Sequence, residues 1–417
     1  MPTAATNPGF HVETFPNGLT LLVEPMEGVA SAAMVLSVAA GAASDPADRL
    51  GCANVLSELV LRGAGERDSR ALTEYLDFLG LQRSASSGTT YTRFSAAGVS
   101  ANVLESLGAY ADVVRRPHVL DHDFEAAREL AVAALEGLDD DPRQQLLILL
   151  REWFWPAPLG RNALGDINHL RKLTADACRA YHAERYQPED ALIAIAGKVD
   201  VDEVRAAVEQ HFGDWSGDGV DEETLYPPAG PVHFEQADSE QTHIGLAMPA
   251  EPERGPDYYP ARVAIEILGG SSSARLFTEV REKRGLCYAV SASYSSLPGL
   301  AGMFVYSGTS NERAQETLDT IAAELQRFGE GVTEAEVARA KVGLAANTVM
   351  ASESTGARAG AMARDWRVHG RLRTLDEITT AIDAVTVEQV NAYAAKQVAT
   401  PVTRVVVGPR DLKFDDG

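Results

Sequence analysis

The feature that most constrains this chain is an internal duplication at a spacing of half its length. The segment LTADACRAYHAERYQPEDALIAIAGKVD (173–200) is matched by VTVEQVNAYAAKQVATPVTRVVVGPRD (385–411). Thr174 aligns with Thr386, Asp176 with Glu388 and Tyr181 with Tyr393, each pair 212 positions apart. A one-residue slip then carries Pro188 onto Pro401. Each copy reads as a threonine N-cap, an acidic first turn, a helix, a loop with proline, and an apolar strand ending in glycine. In a chain of 417 residues, that offset implies two halves of one architecture rather than an array of short repeats.

The segment DWSGDGVDEETLYPPAGPVHF (214–234) is rich in glycine, proline and acids and lacks helical or strand periodicity, as a connection between halves should. The expected organisation is a first domain over 1–218, a linker over 219–233 and a second domain over 234–417. In the first, strands are expected at 10–13, 19–24, 31–39, 90–98 and 191–197, with helices at 48–62, 68–79, 101–115, 123–138, 143–155, 174–185 and 201–212. In the second, strands are expected at 242–248, 287–297, 302–309 and 402–408, with helices at 256–268, 311–328, 333–351 and 375–397. Several strands follow one another without an intervening helix. That predicts an α+β fold, each half a largely antiparallel β-sheet covered by helices.

Composition narrows the function. The chain is too long for one ordinary core, and its 45% hydrophobic and 23% charged residues fit a globular protein. A net charge of −23 disfavours nucleic acid and anionic membranes as partners. The opening MPTAATNPGFHVETF has no basic stretch followed by an apolar run, and no segment approaches the roughly 20 apolar residues of a membrane span. Cys52, Cys178 and Cys287 are too few and too scattered for a disulfide framework or a cysteine-rich zinc site. The expectation is a reduced cytoplasmic protein.

With the elements placed, the chain resembles the M16 family of zinc peptidases, the group of mitochondrial processing peptidase, insulin-degrading enzyme and the short bacterial M16B proteins. FPNGLTLLVEP (15–25) matches the family's opening strand pair, and GCANVLSELVLRG (51–63) stands where the family has a GLAHFLEHMLFKGT-like helix. LGRNALGDINHLRKLT (159–174) and YQPEDALIAIAGKVD (186–200) match the next loop and strand. ILGGSSSARLFTEVREKRGLCYAVSASY (267–294) matches the second half's LGGGxxSRLFxxLREKxGLAY block. The resemblance implies the LuxS/MPP-like metallohydrolase fold built from two homologous halves.

The family's metal site is His-x-x-Glu-His plus a distant glutamate. Carried over by position, the first histidine falls on Asn54, the general base on Ser57, the second histidine on Glu58 and the distant glutamate on Ala134. Catalytic zinc requires three protein ligands, an open position and a base for the activated water. All four positions have changed, so no metal is expected in this chain. His118 and His122 are expected in a surface loop, and His182 and His211 lie in separate helices without a plausible third ligand.

What the second half keeps is the family's substrate-binding pair, which falls on Arg281 and Tyr288. In that role an arginine fork holds a peptide carbonyl and a tyrosine hydroxyl donates to the developing oxyanion. The resemblance therefore implies the noncatalytic subunit of a heterodimer. An HxxEH-bearing M16B homologue would supply the zinc, and a peptide or unfolded polypeptide would be the substrate. Substrate added as a strand would meet the edge near 84–98, where Ser84 and Ala85 depart from the Asn-Ala of active members. The GGSSS loop (269–273) reads as a turn before a helix and lacks the lysine and spacing of a phosphate loop. The competing readings are a scaffolding or assembly protein, a stand-alone peptide-binding homodimer or chaperone, and an active peptidase using another site.

Overall fold

The computed structural model describes residues 9–217, 219, 224–228 and 230–414. They form two compact units, each discontinuous in sequence. The first comprises Met1–Gly137, Ala157–Tyr226 and Ala351–Arg373, and the second Leu138–Pro156, Pro227–Met350 and Thr374–Gly417. This corrects the contiguous division into 1–218, 219–233 and 234–417, because a segment of each half is built into the other unit. Of the expected linker, residues 220–223 and 229 lie outside the described residues, as does residue 218 before it.

The first unit contains strands β1 (His11–Thr14), β2 (Thr20–Pro25), β3 (Ser31–Val38), the short hairpin β4 (Gly63–Ala64) and β5 (Arg67–Asp68), β6 (Gln82–Ser87), β7 (Thr92–Val99) and β8 (Leu192–Gly197). The second contains β9 (Val232–Gln236), β10 (Gln241–Pro249), β11 (Cys287–Leu297), β12 (Leu300–Ser310) and β13 (Thr403–Gly408). The helices before β9 are α1 (Cys52–Leu59), α2 (Ser69–Phe78), α3 (Ser100–Arg115), α4 (Asp121–Glu136), α5 (Pro142–Phe154), α6 (Ile167–Leu170), α7 (Ala175–Arg185) and α8 (Val201–Phe212). After β10 come α9 (Tyr258–Gly269), α10 (Ala314–Gly329), α11 (Glu334–Ser352), α12 (Thr355–His369), α13 (Leu375–Asp383) and α14 (Val387–Gln397).

The main sheets are ordered β1-β2-β8-β3-β7-β6 and β11-β12-β10-β13-β9. Read from the opposite end, the second repeats five strands of the first. The parallel pair β2/β8 corresponds to β9/β13, and every other pairing in both sheets is antiparallel. The duplicated segments become α7–β8 and α14–β13, so the repeat read in the sequence is the repeat of the fold.

Each sheet is covered on both faces, which explains its central strands. Ile193 and Ile195 of β8 face the main core of the first unit, while Leu192, Ala194 and Ala196 face a second cluster with Ala359, Met362 and Ala363 of α12. In the second unit, Val406 of β13 faces the main core, and Val405 and Val407 meet Leu146 and Leu150 of α5. Strands buried on both faces read as continuous apolar runs. Gly245 of β10 gives α5 room, since a Cβ would lie 2.9 Å from the Leu150 Cδ2 methyl and displace it.

Some elements differ from expectation. α12 went unread because its buried face is made of small residues, Ala359 and Ala363 beside Met362, without a leucine stripe. The single helix expected at 375–397 is two, because Thr386 and Gln389 form a capping box that starts α14. β6 is an edge strand of sequence QRSASS with no hydrophobic alternation, and β9 begins at Val232 inside the segment read as linker. Among the described residues, no helix is long and apolar enough to cross a membrane.

Candidate functional site

α1 starts at Gly51, whose φ of 98° is in the left-handed region that favours glycine. The Gly51 and Ala53 N–H groups donate to the Asp45 carboxylate at 2.7 and 2.8 Å, satisfying helix-terminal donors that lack carbonyl partners. Burial pushes the Asp45 pKa up to about 7, against the pull of those two amides and of Arg161. Cys52, Val55, Leu56 and Leu59 anchor the helix in the core. α1 packs against α4, which contributes Ala127, Ala131 and Val132.

The candidate metal positions lie on these two contacting helices. Asn54 is half-buried, Ser57 buried, and Glu58 and Ala134 exposed. The Ser57 hydroxyl donates to the Asn54 carbonyl at 2.8 Å. The Glu58 carboxylate pairs with Arg62 at 3.0 Å, and Glu136, two residues beyond Ala134, pairs with Arg171 at 2.8 Å. An amide, a hydroxyl turned to the backbone, an ion-paired carboxylate and a methyl group do not supply the three ligands and base that a catalytic zinc needs. Among the described residues, no group of three His, Cys, Asp or Glu is placed to hold a metal.

Of the four histidines considered as ligands, His118 and His182 serve the scaffold. His118 Nε2 donates to the Gly65 carbonyl at 2.8 Å, and His182 Nε2 to the Val114 carbonyl at 2.9 Å. Burial holds the His182 imidazole below its usual pKa. His122 is in the first turn of α4 rather than in a loop, because extended backbone at Leu120 starts the helix at Asp121. The His211 ring lies where a Cβ on Gly108 would meet it at 3.0 Å.

Arg281 and Tyr288 belong to the second unit, in the segment leading into β11. Phe277–Glu282 is a π-helical turn, where the Lys283 N–H donates to the Thr278 carbonyl at 2.9 Å. Such turns carry one extra residue per helical bond and recur at functional sites. Val280 is buried in the core. Gly285, with φ of 61°, ends the turn, and the Leu286 N–H closes it on the Val280 carbonyl at 2.9 Å. Arg281 is exposed, with its guanidinium 4.7 Å from the centre of the Phe277 ring. Among the described residues its guanidinium forms no hydrogen bond or ion pair, whereas Lys283 and Arg284 of the same turn both pair with Glu279.

Tyr288 is 64% exposed. The pairing with β12 jumps from Cys287↔Thr309 to Ala289↔Gly308, so Tyr288 is the extra residue of a β-bulge. Bulges re-aim a side chain at a sheet edge, and β11 is the edge strand of its sheet. Burial pushes the intervening Cys287 thiol up, and the nearby Arg281 charge offsets part of that rise. The Phe277 support and the bulge went unread in the sequence. The four-residue spacing of Phe277 and Arg281 is the one signal that could have revealed the first.

Two family models match this chain: Insulinase (Peptidase family M16) over residues 21–166, and Peptidase M16 inactive domain over residues 172–344. The chain belongs to the M16 peptidase family. It is 28% identical over 414 residues to an uncharacterized zinc protease of Mycobacterium leprae, covering 97% of this chain and 93% of the relative. It is 29% identical over 421 residues to an uncharacterized zinc protease of Mycobacterium tuberculosis, covering 99% and 95% respectively. Among solved structures, a peptidase M16 inactive domain from Pseudomonas fluorescens matches with a TM-score of 0.88 at 22% identity, covering 97% of this chain and 99% of that one. A chain of complex III2 from Candida albicans matches with a TM-score of 0.83 at 18% identity, covering 96% of each. These structural likenesses establish the α+β fold of two similar halves.

Proposed function

We propose that this chain is the noncatalytic subunit of a heterodimeric M16B zinc endopeptidase. An HxxEH-bearing homologue provides the metal site, and this chain provides Arg281 and Tyr288 to bind the peptide there. The observation that carries the reading is a contrast within one molecule. The metal positions on α1 and α4 hold no usable ligand set, while Arg281 and Tyr288 stand exposed on a built turn and bulge. Exposed side chains that the fold supports without pairing are available to a ligand.

In this role the Arg281 guanidinium, backed by Phe277, donates its N–H groups to a peptide carbonyl. The Tyr288 hydroxyl donates to the oxygen that gains charge as that carbonyl is attacked. Activation of water belongs to the partner, since Ser57 cannot serve as the base. The zinc-protease names of the relatives agree with the chemistry assigned to the assembly.

The test is the intact mass of the complex isolated from its native cells, with every chain identified. A one-to-one assembly with an HxxEH-bearing homologue is expected. A monomer or homodimer without such a homologue overturns the reading and leaves a peptide-binding or scaffolding role.

A further inference from the structure

Glu279 occupies the opposite side of the π-helical turn from Arg281 and gathers the cations around it. Its carboxylate accepts from Lys283 at 2.5 Å and from Arg284 at 2.8 Å, and Arg284 also donates to the Glu279 carbonyl at 2.8 Å. Arg327 of α10 stands 3.9 Å away. Residues one helical turn apart share a face, so the turn has two faces. Phe277 and Arg281 make one, and Glu279, Lys283 and Arg284 make the other.

The Glu279 face opens on a cavity of about 430 Å³, whose walls include Arg275, Glu324, Arg327, Glu336 and Arg339. The other two wall carboxylates have their own partners: Glu336 pairs with Arg275 at 2.6 Å, and Glu324 pairs with Arg327. Glu279 is therefore the counter-charge for both Lys283 and Arg284. Its side chain is only 15% exposed, and the two cations hold its carboxyl below the usual range. Without this charge, Lys283 and Arg284 would be left without their counter-ion, on the side of the turn that Arg327 also approaches. Their repulsion would act on the turn that fixes Arg281.

We infer that Glu279 is a positioning residue for Arg281: it holds Lys283 and Arg284 in ion pairs on its own face of the turn, leaving the Arg281 guanidinium unpaired among the described residues, over Phe277. The inference deepens the proposed role of Arg281 in peptide binding and rests on it. Glu279 itself touches no substrate, and its effect passes through the shape and charge of the turn.

Two readouts test this. Phenylglyoxal labelling of the full chain, read by mass spectrometry, should modify Arg281 at least about fivefold faster than Arg284, and Glu279→Gln should bring the two within about twofold. In the complex with its HxxEH partner, Glu279→Gln should raise KM for a quenched fluorogenic casein about fivefold with little change in kcat. Glu279→Asp should retain wild-type behaviour. Adding Lys283→Gln and Arg284→Gln to Glu279→Gln should restore KM by removing the stranded charges. Persistent protection of Arg284 in Glu279→Gln overturns the inference, as does an unchanged KM where Arg281→Ala raises it. If Arg281→Ala leaves KM unchanged, the substrate role fails, and the labelling still decides whether Glu279 orders the turn.

Discussion

The two units repeat one plan, yet they relate scaffold to chemistry in opposite ways. In the first, α1 is held by the Asp45 cap and by Cys52, Val55, Leu56 and Leu59, while Asn54, Ser57 and Glu58 lie on the rest of that helix and Ala134 on α4. Those positions could change to Asn54, Ser57 and Glu58 without touching what anchors the helix. In the second, Phe277, Val280, Arg281, Gly285 and Tyr288 share one short segment, where the π-turn and bulge are at once the scaffold and the means of aiming the side chains. Under the proposed role, chemistry separable from packing is lost while the fold persists, whereas the binding pair stays with the backbone path that carries it.

The strongest way to break this comparison is Arg281→Ala. In the proposed heterodimer it should lower kcat/KM about 10²-fold or more, the scale of losing an oriented charged contact to the reacting group. The matching changes in the first unit, Asn54→Ala and Glu58→Ala, should leave kcat/KM within about twofold. Steady-state kinetics on the purified complex decides it, and equal losses at both places would erase the contrast.

The helices that cover the outer faces sharpen the comparison. α12 is tied to the first sheet by Arg358, which donates to both Glu24 oxygens at 2.7 and 2.8 Å, and by Arg367, 3.9 Å above the Tyr91 ring. α5 instead meets the second sheet with Leu146 and Leu150, and Phe154 lies edge-on to Phe304 at 5.2 Å. Arg358→Met should cost about 3 kcal/mol, because it strands the Glu24 carboxylate, and adding Glu24→Leu should recover most of it. Leu150→Ala should cost about 3 kcal/mol through the cavity it leaves, with no single second change to recover it. Urea unfolding of the four variants distinguishes a recoverable loss from an unrecoverable one.

A smaller effect separates the units by pH. Glu336 in the second unit is half-sheltered, and burial would raise its pKa, but Arg275 and Thr333 bring it down to about 2 from 4.5. Its ionised form therefore contributes stability above pH 4.5, and that contribution is lost as pH falls through about 2. Asp45 in the first unit has the opposite sign. Its pKa stands at about 7 against 3.8, so its contribution is full below 3.8 and is lost as pH rises through about 7. Glu336→Gln should flatten the acid-side fall in thermal midpoint. Protection of α1 amides, corrected for intrinsic exchange, should weaken from pH 6 to 8, by the linkage of a group titrating at about 7.

Much of this contrast was legible in the residues. The duplication placed α7–β8 and α14–β13, and the changed metal positions and the Arg281–Tyr288 pair could be named before any coordinates. The exchange of α5 and α12 was not legible, because nothing local tells an amphipathic helix which of two similar sheets it will cover. β6 was silent because an edge strand of small polar residues has no period-2 apolar signal. The π-turn was silent because nothing in the pattern of FTEVRE distinguishes a π-helical turn from an α-helical one. Glu279 escaped notice because its charge has meaning only once Lys283, Arg284 and Arg327 are seen around it.

The finest test of separability is Glu58→Ala. Glu58 is the one carboxylate left among the metal positions, so a residual metal role would have to pass through it. Its side chain is 48% exposed and paired with Arg62 one turn away, a geometry worth only about 0.3–0.5 kcal/mol. Stability should therefore fall by no more than about 0.5 kcal/mol. Metal content of the purified chain, measured by inductively coupled plasma mass spectrometry, should be the same for wild type and Glu58→Ala. Zinc that copurifies in stoichiometric amount and disappears with Glu58 would show that the first unit still holds part of its chemistry, and the contrast between the units would fall with it.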